Sequence, residues 1–491
     1  MKVLMFGWEF PPHISGGLGT ACYGLTKGLS SLSNIDILFV VPKLHGDEDQ
    51  DVAKLIGANN TKIQYKRVVP QEVWRERSYK VYEREEVPFT HERMEEEMRI
   101  NEFTYIEVES KLIPYLGPEE FIKVIKERYP EYIQKKHLEE GKYFITKEKV
   151  ITERYLEQTE NVEIESEFSY NFSGKYGINL MEEVSTYAYI AYEIAKQHDF
   201  DIIHAHDWLT YHAGIAAKQA SGKPLVIHVH ATEFDRSGYH VNQQVYDIER
   251  AGMDFADRII TVSNLTRDTV IQRYGQSPEK VITVYNAVEP VEYTEDHSYK
   301  KTVDEKLVTF LGRITFQKGP EYFVEAAFRV LQRMKNVRFV MAGSGDLMNK
   351  MIRRAAKLGI SDHFHFAGFL KGQDVERMFA MSDVYVMPSV SEPFGISPLE
   401  AMRSNVPVII SKQSGVSEIL THAIKVDFWD IDAIADAIFG LLNYEALPEI
   451  FRKYGKNEVD TLKWDNAAAR IKEVYESVLN GGAPQRETFY E

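Results

Sequence analysis

Short apolar runs rich in Val and Ile recur along this chain, each followed by a turn and then by a stretch of helical periodicity. Runs that are apolar throughout mark strands buried on both faces, and their alternation with helices marks a parallel sheet wrapped by helices. In the first half the runs fall near residues 2–7, 35–41, 201–206, 225–230, 258–262 and 281–285; in the second, near 307–311, 338–342, 363–367, 384–387 and 406–410. With 491 residues, the chain exceeds what one hydrophobic core usually serves. Two doubly wound α/β domains are therefore expected. The polar, strandless stretch "NAVEPVEYTEDHSYKKTVDEK" reads as the linker between them.

These breaks place a first Rossmann-like domain over residues 1–290, a second over 301–465, and a C-terminal helix within 466–491 expected to cross back to the first. From about 45 to 175 the alternation stops. Within Val81–Ile100 there are seven Glu against three Arg, and "PEEFIKVIKERYPEYIQKKHLEEGKY" has helical periodicity, so a solvated helical insertion is expected. A lid or acceptor platform over a cleft is the functional alternative.

Charge and composition exclude several classes. A net charge of −16 argues against a nucleic-acid binder, and no apolar window is long enough to cross a bilayer, although peripheral membrane contact stays open. Cys22 is the sole cysteine, so no intrachain disulfide can form, and a cytoplasmic location is the plain inference.

Three constellations carry chemistry. In "SEPFGISPLEAMRSNVPV", Glu392 lies in a loop after a strand's carboxyl end, where open α/β sheets bind ligands. Ser397 reads as a helix N-cap with Pro398 at the first helical position. Glu400 is then either a capping-box partner of Ser397 or a ligand group. The amides of Gly395, Ile396 and Ser397 at that helix start suit a phosphate. In "LVTFLGRITFQKGPEYFVEAA", Arg313 and Lys318 flank the loop between a strand and the helix that Pro320 opens; two cations there suit a diphosphate. "HISGGLGTACYGLTKGL" gives adjacent glycines, Gly16 and Gly17, after the first strand, but no dinucleotide fingerprint. His204/His206, His228/His230 and His363/His365 are spaced by two, which puts each pair on one side of its strand. With no Cys-x-x-Cys and no His-Glu-x-x-His, packed or hydrogen-bonded histidines are expected rather than a metal site. Asp207 and His230, last polar residues of their strands, are expected to face a cleft.

The combination "FPPHISGG", "HAHDW", "VHATEFDR", "GRITFQKG" and "SEPFGISPLEA" resembles the retaining glycosyltransferases of the GT-B fold, families 4 and 5, with glycogen and starch synthases nearest. The resemblance implies two Rossmann-like domains facing across a deep cleft. It implies that Arg313 and Lys318 grip the diphosphate of a nucleotide-sugar donor and that Glu392 lies beside the donor sugar. Glu400 then holds the ribose, and the turn Phe394, Gly395, Ile396, Ser397 supplies backbone contacts. His230 would lie near the anomeric carbon, with Asp207 on the acceptor side and Gly16 and Gly17 closing over the diphosphate. The implied function is transfer of a hexosyl, specifically glucosyl, unit to a glucan from a UDP- or ADP-linked donor, with no metal and no further cofactor. Bacterial ADP-glucose enzymes of this type read Lys-Thr-Gly-Gly-Leu where this chain reads Ile14-Ser15-Gly16-Gly17-Leu18, which weakens the case for an ADP-linked donor. A family 4 transferase making capsule, glycolipid or a small glycoside, and a non-catalytic glycan-binding protein, are the alternatives.

Overall fold

The computed structural model describes residues 1–13, 16–48, 52–70, 78–87, 136–139, 142–152, 161–177, 179–238, 240–289, 301 and 304–481. Residues 1–61 and 184–491 form one compact unit, and 62–183 form another.

In the larger unit, β1 (Lys2–Phe6), β2 (Asp36–Val41) and β3 (Lys54–Gly57) open the chain. In the smaller unit, β4 (Ile63–Pro70) pairs antiparallel with β8 (Asn161–Phe168), while β7 (Lys142–Thr152) lies between β5 (Ser78–Val87) and β6 (Lys136–Glu139). The expected helical insertion is therefore corrected where it is described: those residues are strands. Paired rows of Glu, Lys and Tyr read as a solvated helix in a single sequence, yet the β5–β7 register sets Glu83 opposite Lys147, a pairing no single segment displays. Most of "PEEFIKVIKERYPEYIQKKHLEEGKY" lies outside the described residues.

The first domain continues with β9 (Ile202–His206), β10 (Leu225–Val229), β11 (Arg258–Thr261) and β12 (Val281–Thr283), giving a parallel sheet of order β12-β11-β10-β9-β1-β2-β3. The second domain uses β13 (Lys306–Leu311), β14 (Val337–Ala342), β15 (Phe364–Gly368), β16 (Val384–Met387), β17 (Val408–Ser411) and β18 (Ile424–Val426), in the parallel order β15-β14-β13-β16-β17-β18. Every strand expected from the apolar runs is present, with ends shifted by one or two residues. In each sheet the chain reverses its winding once: between β1 and β9 in the first, and between β13 and β16 in the second. Loops leaving these strands diverge at that point, leaving a crevice at their carboxyl ends. The sequence thus supplies one crevice per domain, and the candidate residues fall on the loops beside them.

The helix Trp464–Leu479 packs on the first-domain helix Gly17–Ser31. A Cβ on Gly24 would lie 2.3 Å from the Trp464 ring, and one on Gly28 would lie 2.8 Å from the Trp464 carbonyl. This glycine groove lets Ala468, Ile471, Val474 and Tyr475 join Val3, Met5, Leu25 and Leu29 in one core. Each fully buried Ile or Val there contributes about 1.5–3 kcal/mol.

Candidate active site at the two switch points

In the second domain the site is built by two loops pressed together. After β13, Arg313 leads into a short 3₁₀ turn, Phe316–Lys318, and Gly319 follows with φ +64°. A Cβ on Gly319 would stand 2.1 Å from the Pro388 carbonyl of the loop after β16. Only glycine meets both the left-handed backbone and that approach. The Val390 amide donates to the Gln317 carbonyl at 2.9 Å, tying the loops a second time. Lys318 and Glu392, 74 residues apart in sequence, thereby meet: Nζ lies 2.5 Å from Oε2, and the Ser389 hydroxyl donates to the same oxygen at 3.2 Å. Glu392 is only 6% exposed. Arg313 donates to the side-chain oxygen of Gln317 at 3.1 Å rather than to a carboxylate. Gln317 and Ser389 had no signal in the sequence; their roles arise only from loop contact.

The turn after Glu392 corrects one reading. The helix runs Ser397–Arg403, its N-cap is Ile396 in helical conformation, and no side chain caps it. Ser397 is already inside the helix, where its hydroxyl accepts from Tyr385 Oη at 2.8 Å. Pro398 is thus the second helical residue, a position that also needs no amide hydrogen. With the register moved by one, Glu400 stands one place beyond the position from which a capping box closes, and the capping explanation for it falls. Burial raises the Glu400 pKa, opposed by Arg403. Gly395 has φ +101°, and among the described residues the amides of Gly395, Ile396 and Ser397 donate to no backbone carbonyl. Phe394 is a core side chain, and its carbonyl accepts the Val416 amide at 2.8 Å. It can therefore offer a ligand only its own N–H.

In the first domain, β9 and β10 pair with His206 opposite His228. Side-chain alternation then puts His204, His206 and His228 on one face, with His230 just past the strand. The rings stack: His204 on His206 at 4.2 Å and His228 on His230 at 4.3 Å between centroids. His206 Nδ1 lies 3.0 Å from His230 Nε2, and His204 Nδ1 meets the Tyr475 hydroxyl of the C-terminal helix. Burial lowers all four pKa values, that of His230 to about 3, so the ladder is neutral. The donor atoms of His204, His206 and His228 lie within 4.8 Å of one another. Their ring planes, however, stand only 12–27° apart, so their in-plane lone pairs run nearly parallel and do not converge on one ion. Cys22, His206 and His230 form a second such group, in which His206 Nδ1 and His230 Nε2 bond each other and burial raises the Cys22 thiol pKa, which disfavours the thiolate. His363 and His365 are apart from this ladder; His363 Nδ1 lies 3.0 Å from the Val337 carbonyl.

Asp207 sits at φ +62°, buried at the end of β9, where burial raises its pKa against the pull of Arg236 at 3.9 Å. Arg236 belongs to the short helix Glu233–Ser237 and also pairs with Glu233 and Glu249. Sequence reasoning passed over this helix; the Thr232-x-x-Asp235 capping box that starts it was its visible signal. Gly16 is the extended N-cap of the helix Gly17–Ser31. A Cβ on Gly16 or Gly17 would meet nothing within 4 Å among the described residues, so packing does not explain these glycines.

Comparison with known proteins places this geometry. Residues 293–458 match the family model described as glycosyl transferases group 1, and residues 164–292 match that of glycosyltransferase family 4. An uncharacterised glycosyltransferase of Methanocaldococcus jannaschii is 32% identical over 298 residues, covering 57% of this chain and 76% of that one. The chain belongs to the group 1 glycosyltransferases. Glycogen synthase of Mycobacterium tuberculosis is 25% identical to this glycosyltransferase over 289 residues, with 57% and 70% of the two chains covered. Among solved structures, sucrose-phosphate synthase from Thermosynechococcus elongatus superposes with TM-score 0.62 at 15% identity over 98% of this chain and 100% of that one. Anabaena HepE in complex with UDP and glucose gives TM-score 0.60 at 15% identity over 97% and 100%. The transferase therefore has the GT-B fold. No described helix is long and apolar enough to cross a membrane.

Proposed function

We propose that this glycosyltransferase is a retaining hexosyltransferase that moves a glucosyl unit from a nucleoside diphosphate sugar to a glucan. The observation that carries the reading is the cluster at the second switch point, where Lys318 pairs with Glu392 beside Arg313 and three open amides. A donor diphosphate entering there exchanges one partner of Lys318, a carboxylate, for another anion. Glu392 is then released toward the sugar hydroxyls. As the glycosidic bond breaks, charge accumulates on the diphosphate, and the fixed Arg313 and Lys318 cations stabilise it more in the transition state than in the ground state. His230, held neutral by burial, orients the sugar from the first domain without adding repulsive charge to an oxocarbenium-like centre. The acceptor hydroxyl approaches from the face the phosphate leaves and gives its proton to the departing oxygen, which retains configuration. Two cations and oriented amides do the work that a divalent ion does elsewhere, so the reading includes no metal. Glu400, partly buried and outside any capping box, is assigned to the ribose, and Asp207 to the acceptor side.

HepE was solved with UDP and glucose, which supports a nucleotide-sugar donor, and the M. tuberculosis relative is named a glycogen synthase, which supports a glucan acceptor. Ile14 and Ser15 in place of Lys-Thr favour a UDP- over an ADP-linked donor. A 2-deoxystreptamine N-acetyl-D-glucosaminyltransferase of Niallia circulans, 24% identical over 284 residues, keeps transfer to a small glycoside as the second reading. A panel of UDP-, ADP- and GDP-sugars, scored by thermal shift and by incorporation into glycogen, tests the proposal. Stabilisation by a UDP-hexose with label appearing in glycogen is the expected result. No stabilisation and no transfer or hydrolysis with any donor would refute it.

A further inference from the structure

The helix Glu233–Ser237 touches both halves of the site. On its own side it is fixed in the first domain: the Glu233 amide donates to Glu249 at 3.0 Å, and Arg236 pairs with Glu249 and lies 3.9 Å from Asp207. Toward the second domain, Asp235 divides its carboxylate. Oδ2 accepts the amide and the hydroxyl of Thr232, each at 2.8 Å, and so closes the capping box. Oδ1 accepts the Ser391 hydroxyl at 2.6 Å. Ser391 immediately precedes Glu392, and its amide lies 3.4 Å from the carbonyl of Gln317, whose side chain holds Arg313. One hydroxyl thus joins the scaffold of Asp207 to the loops that carry Arg313, Lys318 and Glu392.

A different seam lies next to the linker. Gly415 is pressed on Ser263, where an added Cβ would come within 2.4 Å of the Ser263 Cβ. The Glu418 carboxylate accepts the amides of Asn264 and Leu265 at 2.9 and 2.8 Å and the Tyr285 hydroxyl at 2.9 Å. The same seam reaches the switch-point loop, where the Thr266 hydroxyl donates to the Pro393 carbonyl at 3.4 Å, so that interdomain contacts at Ser391 and Pro393 flank Glu392.

We propose that the Ser391–Asp235 hydrogen bond latches the two domains together across the switch-point loops, and that Ser391 and Asp235 are positioning residues that set Glu392 in the site. The inference rests on the donor-site reading above. A hydroxyl given to a carboxylate is a strong hydrogen bond, and its loss leaves Oδ1 of the buried Asp235 without the partner that ties it to the second domain.

The test uses Ser391→Ala, with Ser391→Thr restoring the hydroxyl. Spin labels on Ser277→Cys and Lys357→Cys, both exposed and one on each domain, report the interdomain distance. Ser391→Ala should lengthen and broaden that distance and lower turnover about tenfold, while affinity for UDP alone changes less than twofold; Thr should restore both. Unchanged distances, or turnover equal to wild type, in Ser391→Ala overturn the latch. If no nucleotide binds the unmodified protein, the donor-site reading fails separately, while the distances measured on the nucleotide-free protein still decide the latch.

Discussion

The histidine ladder makes the first domain sensitive to acid in a way that can be worked out in advance. A histidine whose pKa falls on folding takes up its proton only when the chain unfolds. Its contribution is complete above its unfolded value of about 6.5 and is lost as pH falls toward the folded value, at about 1.4 kcal/mol per pH unit. For His230 the window runs from about 6.5 down to about 3. His204, His206 and His228 are also lowered by burial, so unfolding at pH 5.5 should draw nearly one proton into each of the four. Glu249 works in the opposite sense. Burial pushes its pKa up, opposed by the Arg236 guanidinium, the Tyr274 hydroxyl and the Glu233 amide that it accepts, and a raised carboxyl loses stability as pH rises, so it offsets part of the histidine effect. The cleanest perturbation is His228→Leu, because neither ring nitrogen of His228 has a hydrogen-bond partner among the described residues. An apolar side chain of similar size removes two unpaired polar atoms from the core and one titrating group from the balance. Between pH 7.5 and 5.5 the stability of the variant relative to wild type should improve by about 1.4 kcal/mol, and its proton uptake on unfolding at pH 5.5 should fall by about 0.9. Urea titrations at the two pH values and potentiometric proton counting measure these quantities. Parallel stability curves with equal proton uptake would mean that His228 is not held neutral by burial, and the account of the ladder would fail.

Lys318→Ala should lower transfer by at least about a hundredfold with circular dichroism unchanged, since it removes a cation from the leaving group; near-normal turnover would remove Lys318 from the donor site. Glu392→Gln should depress turnover far more than donor affinity, whereas Glu400→Gln should mainly weaken donor binding; paired titrations and initial rates separate the two, and an unaffected Glu400→Gln enzyme would refute the ribose assignment. Gly24→Ala should cost about 1–3 kcal/mol by driving the Trp464 ring out of its groove, seen as a lower melting temperature and altered tryptophan fluorescence; a wild-type melting curve would show that the groove yields freely.

Much of the architecture was legible because parallel strands covered on both faces must be apolar throughout, as "VLMF" in β1 and "VYVM" in β16 are. Of the four edge strands in the two parallel sheets, β3, Lys-Leu-Ile-Gly, and β18, Ile-Lys-Val, escaped notice because each is three or four residues long and carries a lysine, which an edge tolerates. Arg313, Lys318 and Glu392 were visible as polar residues at strand ends. Their mutual arrangement was not, since Lys318 reaches Glu392 only through the approach that Gly319 permits. The helix start was misplaced by one residue because proline fits the first and second positions equally, so Pro398 could not fix the register. The link from Asp207 through Arg236 and Asp235 to Ser391 crosses two domains, and no local pattern announces a contact of that range.

The return of Trp464–Leu479 to the first domain bears on how the molecule is made. Residues 2–289 supply that domain's sheet, but its core also takes in Ile471, Val474 and Tyr475, and Tyr475 is the residue that caps His204. At about 5–20 residues per second, some 10–40 s of synthesis separate the last strand of the first sheet from the helix that completes it. Throughout that interval the nascent chain presents Gly24, Gly28 and the apolar side chains beside them as an unfilled groove. The second domain, whose strands are contiguous from β13 to β18, can finish first although it is made last. Completion of the first domain therefore waits for a helix made after the second domain, and until then the groove on Gly17–Ser31 is exposed apolar surface.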